Sequence, residues 1–218
     1  PGERICVVLG AMPISEREAA QIRALEGALL ICADAGYAQA MRHGLTPDFT
    51  VGDYDSLEGS VTDIEGVKLT FPVEKDDTDA MLAAKEGLAR GCRRFLFYGA
   101  LGGRLDHTLA NIQTLCGLSC TGGRGFLVGQ GMVLTAVTDG ALRLPGSGSG
   151  GTLSVFCAGD RAEGVCLRGL RYPLEDAVLT CTHPLGVSNA FLGQPCEIAV
   201  RRGTLVVLWY QRDFDVPR

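Results

Sequence analysis

Three short polar clusters carry residue types suited to chemistry on a phosphate chain. In Gly52-Asp53-Tyr54-Asp55-Ser56 the two aspartates stand two positions apart. Residues so spaced in an extended segment point the same way. Asp53 and Asp55 could therefore converge on one cation, and a hard, oxygen-preferring ion such as Mg²⁺ would relieve their repulsion. An Asp-rich turn explains this cluster equally well. Asp34, in Ala33-Asp34-Ala35-Gly36, would add a third carboxylate, although alone it is an ordinary strand-end aspartate.

The second cluster, Lys75-Asp76-Asp77-Thr78-Asp79, leads into a helical segment. Acidic residues in a first turn complement the helix dipole, which accounts for Asp77 and Asp79 without any function. It does not account for Lys75, which sits at the unfavourable end. A lysine beside carboxylates and unbonded N–H groups suits phosphate and metal binding. The third cluster runs from Gly99 through Gly102-Gly103-Arg104-Leu105-Asp106-His107, with Asn111 beyond it. Its glycines let a ligand approach the backbone closely. Arg104 can clamp phosphate oxygens with its planar fork of donors. His107 and Asn111, four apart, share a helix face.

The elements that must hold these clusters alternate in the first half of the chain. Apolar runs at residues 4–9, 28–33, 49–51, 67–71 and 94–98 read as strands. Helices are expected between them. The first is capped by Ser15 with Glu18 three residues on and runs to about residue 25. Others span residues 37–43, the stretch from the Thr78 cap to about 89, and 105–115. Alternation of this kind predicts a mostly parallel sheet with helices on both faces, a Rossmann-like arrangement. All three clusters then lie at strand ends, where such sheets bind ligands. Beyond about residue 122 the pattern changes to short runs at 126–128, 132–137, 141–144, 152–157, 165–167, 177–182, 196–200 and 204–210, separated by Gly, Pro or Asp. That is the signature of an antiparallel sandwich or barrel. We expect an α/β domain at 1–123 and an all-β domain at 124–218. Gly146, Gly148 and Gly151 satisfy G-x-G-x-x-G, but a strand follows them where a dinucleotide site needs a helix, so they read as a turn.

In this order the clusters resemble the thiamine pyrophosphokinase family, marked by G-D-x-D-S, K-D-x-T-D and G-G-R-x-D-H with a downstream Asn. Two motifs of the second half, Gly169-Leu170-Arg171-Tyr172-Pro173-Leu174 and Gly186-Val187-Ser188-Asn189, are similar to that family's G-L-K/R-Y-P-L and G-x-S-N. The resemblance runs in register from about Ile5 to Trp209. It departs at Ala35: the family usually has A-D-G-G where this chain has Ala33-Asp34-Ala35-Gly36. A methyl there would narrow backbone approach to a ligand or forbid a positive φ.

The resemblance implies an ATP-binding α/β domain, a thiamine-binding, jelly-roll-like β-sandwich and a homodimer. It implies transfer of the ATP pyrophosphoryl group to the thiamine hydroxyl, releasing AMP. Asp53, Asp55 and Asp79 are the implied Mg²⁺ ligands. Asp34, Lys75, Asp76, Thr78 and Gly102 would bind ATP, with Arg104 and His107 on its phosphates. Asp106 either orients Arg104 or belongs with Asn111, Ser188 and Asn189 on the thiamine side. Asp55 and Asp79 are candidates to take the hydroxyl proton. Thiamine has a cationic ring, which favours acidic or aromatic neighbours. Trp209, Tyr172 and Phe191 are candidates, each also readable as sandwich core.

Three rival readings are a metal-dependent phosphoesterase, a non-catalytic thiamine or nucleotide sensor, and a transferase for another alcohol. Two-metal hydrolases draw on several His and Asp ligands; this chain has three histidines, and only His107 lies in a cluster. The 218 residues carry 46% hydrophobic and 21% charged side chains, enough for a sizeable core. A net charge of −5 argues against binding nucleic acid by phosphate neutralisation. Nine scattered cysteines contain no C-x-x-C and read as small apolar residues of a reducing compartment. The residues present show no signal peptide and no apolar run long enough to span a bilayer. The cytoplasm is the expected location, with no membrane partner.

Overall fold

The computed structural model describes residues 4–33, 35–52, 67–70, 77–146 and 150–210. The chain divides into two compact units, one of Pro1–Thr114 with Gly125–Gln130, the other of Leu115–Arg124 with Gly131–Arg218.

The first unit contains β1 (Ile5–Leu9), α1 (Glu16–Arg23), β2 (Leu29–Ala33), α2 (Gly36–Arg42), β3 (Phe49–Gly52), β4 (Val67–Thr70), α3 (Asp79–Ala89), β5 (Arg94–Tyr98), the start of α4 (Leu105–Cys120) and β6 (Arg124–Gly129). Its strands lie in the order β6-β5-β1-β2-β3-β4. β1 pairs in parallel with β2 and β5, and β3 in parallel with β2 and β4. β1, β2 and β5 are buried along nearly their whole length rather than on alternate residues. Strands covered on both faces have this pattern. α2 packs on β1 and β2, and α3 on β1, β2 and β3.

Local chemistry sets the helix starts. Ser15 accepts from the Glu18 N–H at 3.2 Å while the Glu18 carboxylate accepts from the Ser15 N–H at 2.7 Å, a complete capping box. Thr78 Oγ1 accepts from the Met81 N–H at 3.3 Å and caps α3. α4 does not stop near residue 115 but runs to Cys120. Gly117 lies on its exposed side and interrupts nothing. The helix closes where the Gly123 N–H reaches the Leu118 carbonyl at 2.9 Å and the Gly122 N–H that of Ser119 at 3.1 Å. β6, expected among the all-β strands, instead adjoins β5, continuing the strand-helix alternation by one round. Five of its six residues are buried, much as in β1, β2 and β5.

Ala35 does not have the backbone its family counterpart led us to expect. It is helical, at φ −63° and ψ −1°, and needs no glycine. The constraint falls on Gly36. A Cβ there would stand 1.9 Å from the Leu9 carbonyl oxygen, since the start of α2 lies directly on the end of β1.

The second unit holds β7 (Met132–Thr138), β8 (Ala141–Leu144), β9 (Thr152–Cys157), β10 (Arg161–Arg168), β11 (Leu174–Thr180), β12 (Asn189–Ala190), β13 (Cys196–Ala199) and β14 (Thr204–Tyr210). Its strands pair antiparallel, in the orders β12-β9-β14-β7 and β11-β10-β13-β8. The two arrays touch where β9 meets β11 and β7 meets β8. Leu142, Val165, Leu167, Val155, Ile198 and Val207 are among the buried apolar residues of this unit. Trp209 and Phe191 are buried with them, which settles their alternative reading as core, whereas Tyr172 is 59% exposed. β9 follows the Gly146–Gly151 stretch, so no helix opens there.

Cys6, Cys32, Cys92 and Cys196 are buried, while Cys120 and Cys181 are exposed. Burial pushes the Cys32 thiol up to about 12 and that of Cys196 to about 11. Among the described residues no helix is long and apolar enough to cross a membrane.

Candidate functional site

The strand ends of the first unit are tied into one frame. The Gly10 N–H donates to the Tyr98 carbonyl at 2.8 Å and the Met12 N–H to that of Gly99 at 3.0 Å, so the turn after β1 and the loop after β5 are bonded to each other. Asn111, buried on α4, donates from Nδ2 to the Ala100 carbonyl at 2.8 Å. Gln130, just after β6, donates from Nε2 to the Leu101 carbonyl at 3.4 Å.

Three consecutive carbonyls, of Gly99, Ala100 and Leu101, are thus held from three directions. No peptide bond here is cis. In a trans peptide the N–H of the next residue points opposite to the carbonyl. The N–H groups of Ala100, Leu101 and Gly102 therefore turn away from these donors. α4 begins immediately beyond, with Arg104 accepting from the Thr108 N–H at 3.3 Å. The positive end of a helix dipole, with N–H groups facing away from the donors that hold these carbonyls, favours an anion.

Arg104 and Asp106 project from this corner, both largely exposed. The guanidinium grips the carboxylate through two contacts, Nε to Oδ1 at 3.1 Å and Nη2 to Oδ2 at 2.5 Å. Oδ1 also accepts from the His107 N–H at 3.0 Å. The Arg104 side chain, and secondarily the His107 backbone, hold the Asp106 carboxyl below its ordinary range. In the structure Asp106 is thus paired with Arg104. His107 is exposed although Asn111, one turn on, is buried. The shared helix face serves two purposes: the histidine stays on the surface and the asparagine braces the loop.

The second cluster is described in part. Thr78 is exposed and its hydroxyl caps α3. Asp77 accepts from Lys85 Nζ at 2.6 Å. Asp79 opens α3 at its first residue. Asp34, Asp53, Asp55, Lys75 and Asp76 lie outside the described residues, as does the rest of the first cluster beyond Gly52. Among the described residues no group of three or more His, Cys, Asp or Glu side chains is placed to hold a metal. Sequence reasoning missed Gln39 and Gln130. Gln39, 6% exposed on α2, donates to the Ala11 carbonyl at 3.3 Å and so steadies the turn after β1. Glutamines in such places leave no pattern in a sequence.

In the second unit the two similar motifs meet. Asn189, 4% exposed, pairs with both backbone groups of Tyr172: Oδ1 accepts from its N–H at 2.9 Å and Nδ2 donates to its carbonyl at 2.7 Å. Its Oδ1 also accepts from the Ala190 N–H at 2.9 Å. The side chain acts as a peptide mimic bracing the 169–174 segment. Ser188 stands beside it, exposed, in a left-handed conformation at φ 61°, its N–H donating to Ser154 Oγ at 3.1 Å. Tyr172, Leu185 and Val187 are exposed, and the Arg171 guanidinium lies 5.8 Å from the Tyr172 ring centroid.

Comparison with known proteins follows this arrangement along the chain. Residues 24–123 match the thiamin pyrophosphokinase catalytic domain, and residues 142–205 match the thiamin pyrophosphokinase vitamin B1 binding domain. A thiamine pyrophosphokinase of Bacillus subtilis is 26% identical over 187 residues, covering 84% of this chain and 87% of that protein. A solved thiamine pyrophosphokinase structure from Bacillus subtilis has a TM-score of 0.83 at 21% identity, covering 97% of this chain and 100% of the other. One from Candida albicans has a TM-score of 0.78 at 15% identity, covering 96% and 89%. At those identities the structures speak for the fold; the two successive domain matches and the sequence relative carry the family. This chain belongs to the thiamine pyrophosphokinase family.

Proposed function

We infer that the chain is a thiamine diphosphokinase, moving the pyrophosphoryl group of ATP onto the thiamine hydroxyl and releasing AMP. The observation that carries this reading is the ordered pair of family domains, catalytic then vitamin B1 binding, on one chain. The loop beside Arg104, its three carbonyls held at the start of α4, is the structural feature that fits it. Phosphoryl-type transfer depends on positioning and charge stabilisation more than on covalent participation by the protein.

In this reading Gly102, Arg104 and His107 meet the ATP phosphates, with Lys75, Asp76, Thr78 and Asp34 completing the nucleotide site. The Thr78 hydroxyl accepts one N–H of α3 and keeps its own O–H to donate to the nucleotide. Asp106 fixes the Arg104 fork. Carboxylates are the hard oxygen donors that Mg²⁺ prefers, and Asp79 at the start of α3 fits such a role together with Asp53 and Asp55. When bound there, the ion neutralises polyphosphate charge. Asp55 or Asp79 takes the thiamine hydroxyl proton as the oxygen attacks the β-phosphorus and AMP departs. On the thiamine side the exposed group is Ser188 with Tyr172, while Asn189 and Asn111 act by bracing backbone.

We further read the first unit as Rossmann-like, the second as a jelly-roll-like sandwich, and the functional division as 1–123 and 124–218. The chain is proposed to work in the cytoplasm as a homodimer with its sites at the subunit interface; the exposed Tyr172, Leu185 and Val187 support a covered surface.

The test is mass-spectrometric product analysis with ATP, Mg²⁺ and thiamine, beside a thiamine-free control. Thiamine diphosphate and AMP should appear together and disappear on adding a chelator. AMP or ADP formed equally well without thiamine would instead establish hydrolysis. Nucleotide binding without turnover would establish a sensor or another acceptor.

A further inference from the structure

The turn joining β6 to β7 contains two residues, Gln130 at φ 53° and Gly131 at φ 70°. Two-residue hairpins with positive φ at both positions favour Asn, Asp or Gly first. Glutamine gains nothing from that conformation, since its amide is too far from its own backbone for the local bonds that reconcile Asn to it. A non-glycine residue held in this region points to something outside the turn that repays it.

Here that something is the loop after β5. Gln130 Nε2 donates to the Leu101 carbonyl at 3.4 Å. The same nitrogen stands 2.1 Å from the place a Cβ on residue 102 would occupy, and Gly102 itself has φ 88°. The glutamine amide therefore lies on the bare Cα of the first glycine of Gly102-Gly103-Arg104. Of the three held carbonyls, those of Gly99 and Ala100 are bonded from the turn after β1 and from α4; Gln130 supplies the third.

We propose that Gln130 is a positioning residue for ATP: by holding the Leu101 carbonyl it keeps the Gly102 N–H and the following Arg104 turned towards the phosphates. The proposal rests on the reading that this loop faces ATP. It makes turn strain the counterpart of loop order, so that relieving the one should loosen the other.

Two variants separate these effects. Gln130→Gly removes the donor and relieves the turn; Gln130→Met removes the donor and keeps bulk and strain. Measured without ligand, amide exchange of residues 99–104 should quicken in both. The KM for ATP should rise about three- to tenfold, the scale of one lost hydrogen bond, while kcat and the KM for thiamine stay within about twofold. Tm of Gln130→Gly should equal or exceed that of the parent chain. An unchanged KM for ATP in either variant, or a rise that comes only with a lower Tm, overturns the proposal. If the parent chain makes no thiamine diphosphate, the functional reading fails by itself, and the exchange data still decide whether Gln130 holds the loop.

Discussion

Gly36→Ala should be far more damaging than its size suggests, and Ala35→Gly far less. At Gly36 the added Cβ meets the Leu9 carbonyl oxygen at 1.9 Å, the Leu9 carbonyl carbon at 2.7 Å and the Gly10 carbonyl carbon at 3.2 Å. All three are backbone atoms, so no rotamer change provides room. Ordinary carbon–oxygen contact lies near 3.3 Å, and α2 would have to withdraw from the end of β1 by more than 1 Å, an order-of-magnitude figure from van der Waals spacing. Overpacking of a rigid contact costs about 1–3 kcal/mol and occasionally more. The better helix propensity of alanine offsets at most about 1 kcal/mol of that. We expect a net loss of about 2 kcal/mol, or roughly 4–8 °C in Tm for a chain of this length. Ala35 sits at φ −63°, where glycine loses only backbone entropy, so Ala35→Gly should cost about 0.5–1 kcal/mol. Thermal unfolding followed by circular dichroism measures both. If Gly36→Ala kept its Tm within 2 °C or so, or if Ala35→Gly proved the worse of the two, the backbone argument for this glycine would be wrong.

Thr78→Ala removes the cap of α3 and should cost about 1 kcal/mol, while Thr78→Ser, which keeps the hydroxyl, should be nearly neutral in urea unfolding. Asn189→Ala strips the backbone of Tyr172 of both its partners and should lower Tm by roughly 4–8 °C, from a loss of about 2 kcal/mol; an unchanged Tm would deny its bracing role. Alkaline pH should destabilise the fold through its buried thiols. Cys32 and Cys196 titrate near 9.0 when unfolded and near 12 and 11 when folded. Because the folded values are raised, the thiols' contribution is complete below pH 9 and is lost as pH climbs towards those folded values. Tm measured between pH 7 and 11 should hold level and then fall from about pH 9 upward; a level Tm throughout would contradict it.

Much of this architecture can be read from the sequence because its signals are local. The Ser15–Glu18 box and the Thr78 cap are written within four residues each, and the fully apolar runs of β1, β2 and β5 announce a parallel sheet. The helix expected over 105–115 runs on to Cys120, because residues 116–120 carry no break and the stop comes only with the Gly122-Gly123 pair. β12, two residues long, has no periodicity to detect. The clusters around Arg104 and Ser188 could be found by residue type, but the tasks of Asn111 and Asn189 could not. Each turns a polar side chain onto a main-chain carbonyl eleven or seventeen residues away, and nothing in a string of letters marks which backbone groups lack a partner. The departure at Ala35 misled for a similar reason: two adjacent glycines look alike until one of them is found pressed against a strand end.

The passage of the chain between its two units, three times between Thr114 and Gly131, bears on how such an enzyme can be taken apart or joined to others. A cut at residue 123 separates β6 from the unit in which it lies and bares one side of β5, with its row of unpaired peptide groups. Naked edges of that kind recruit other chains. A cut after residue 130 keeps β6 but strips the other unit of residues 115–124. No single scission yields two intact halves, so natural fusions and laboratory grafts should respect the pair as one inheritable cassette, with insertions tolerated in surface turns rather than at the apparent domain border.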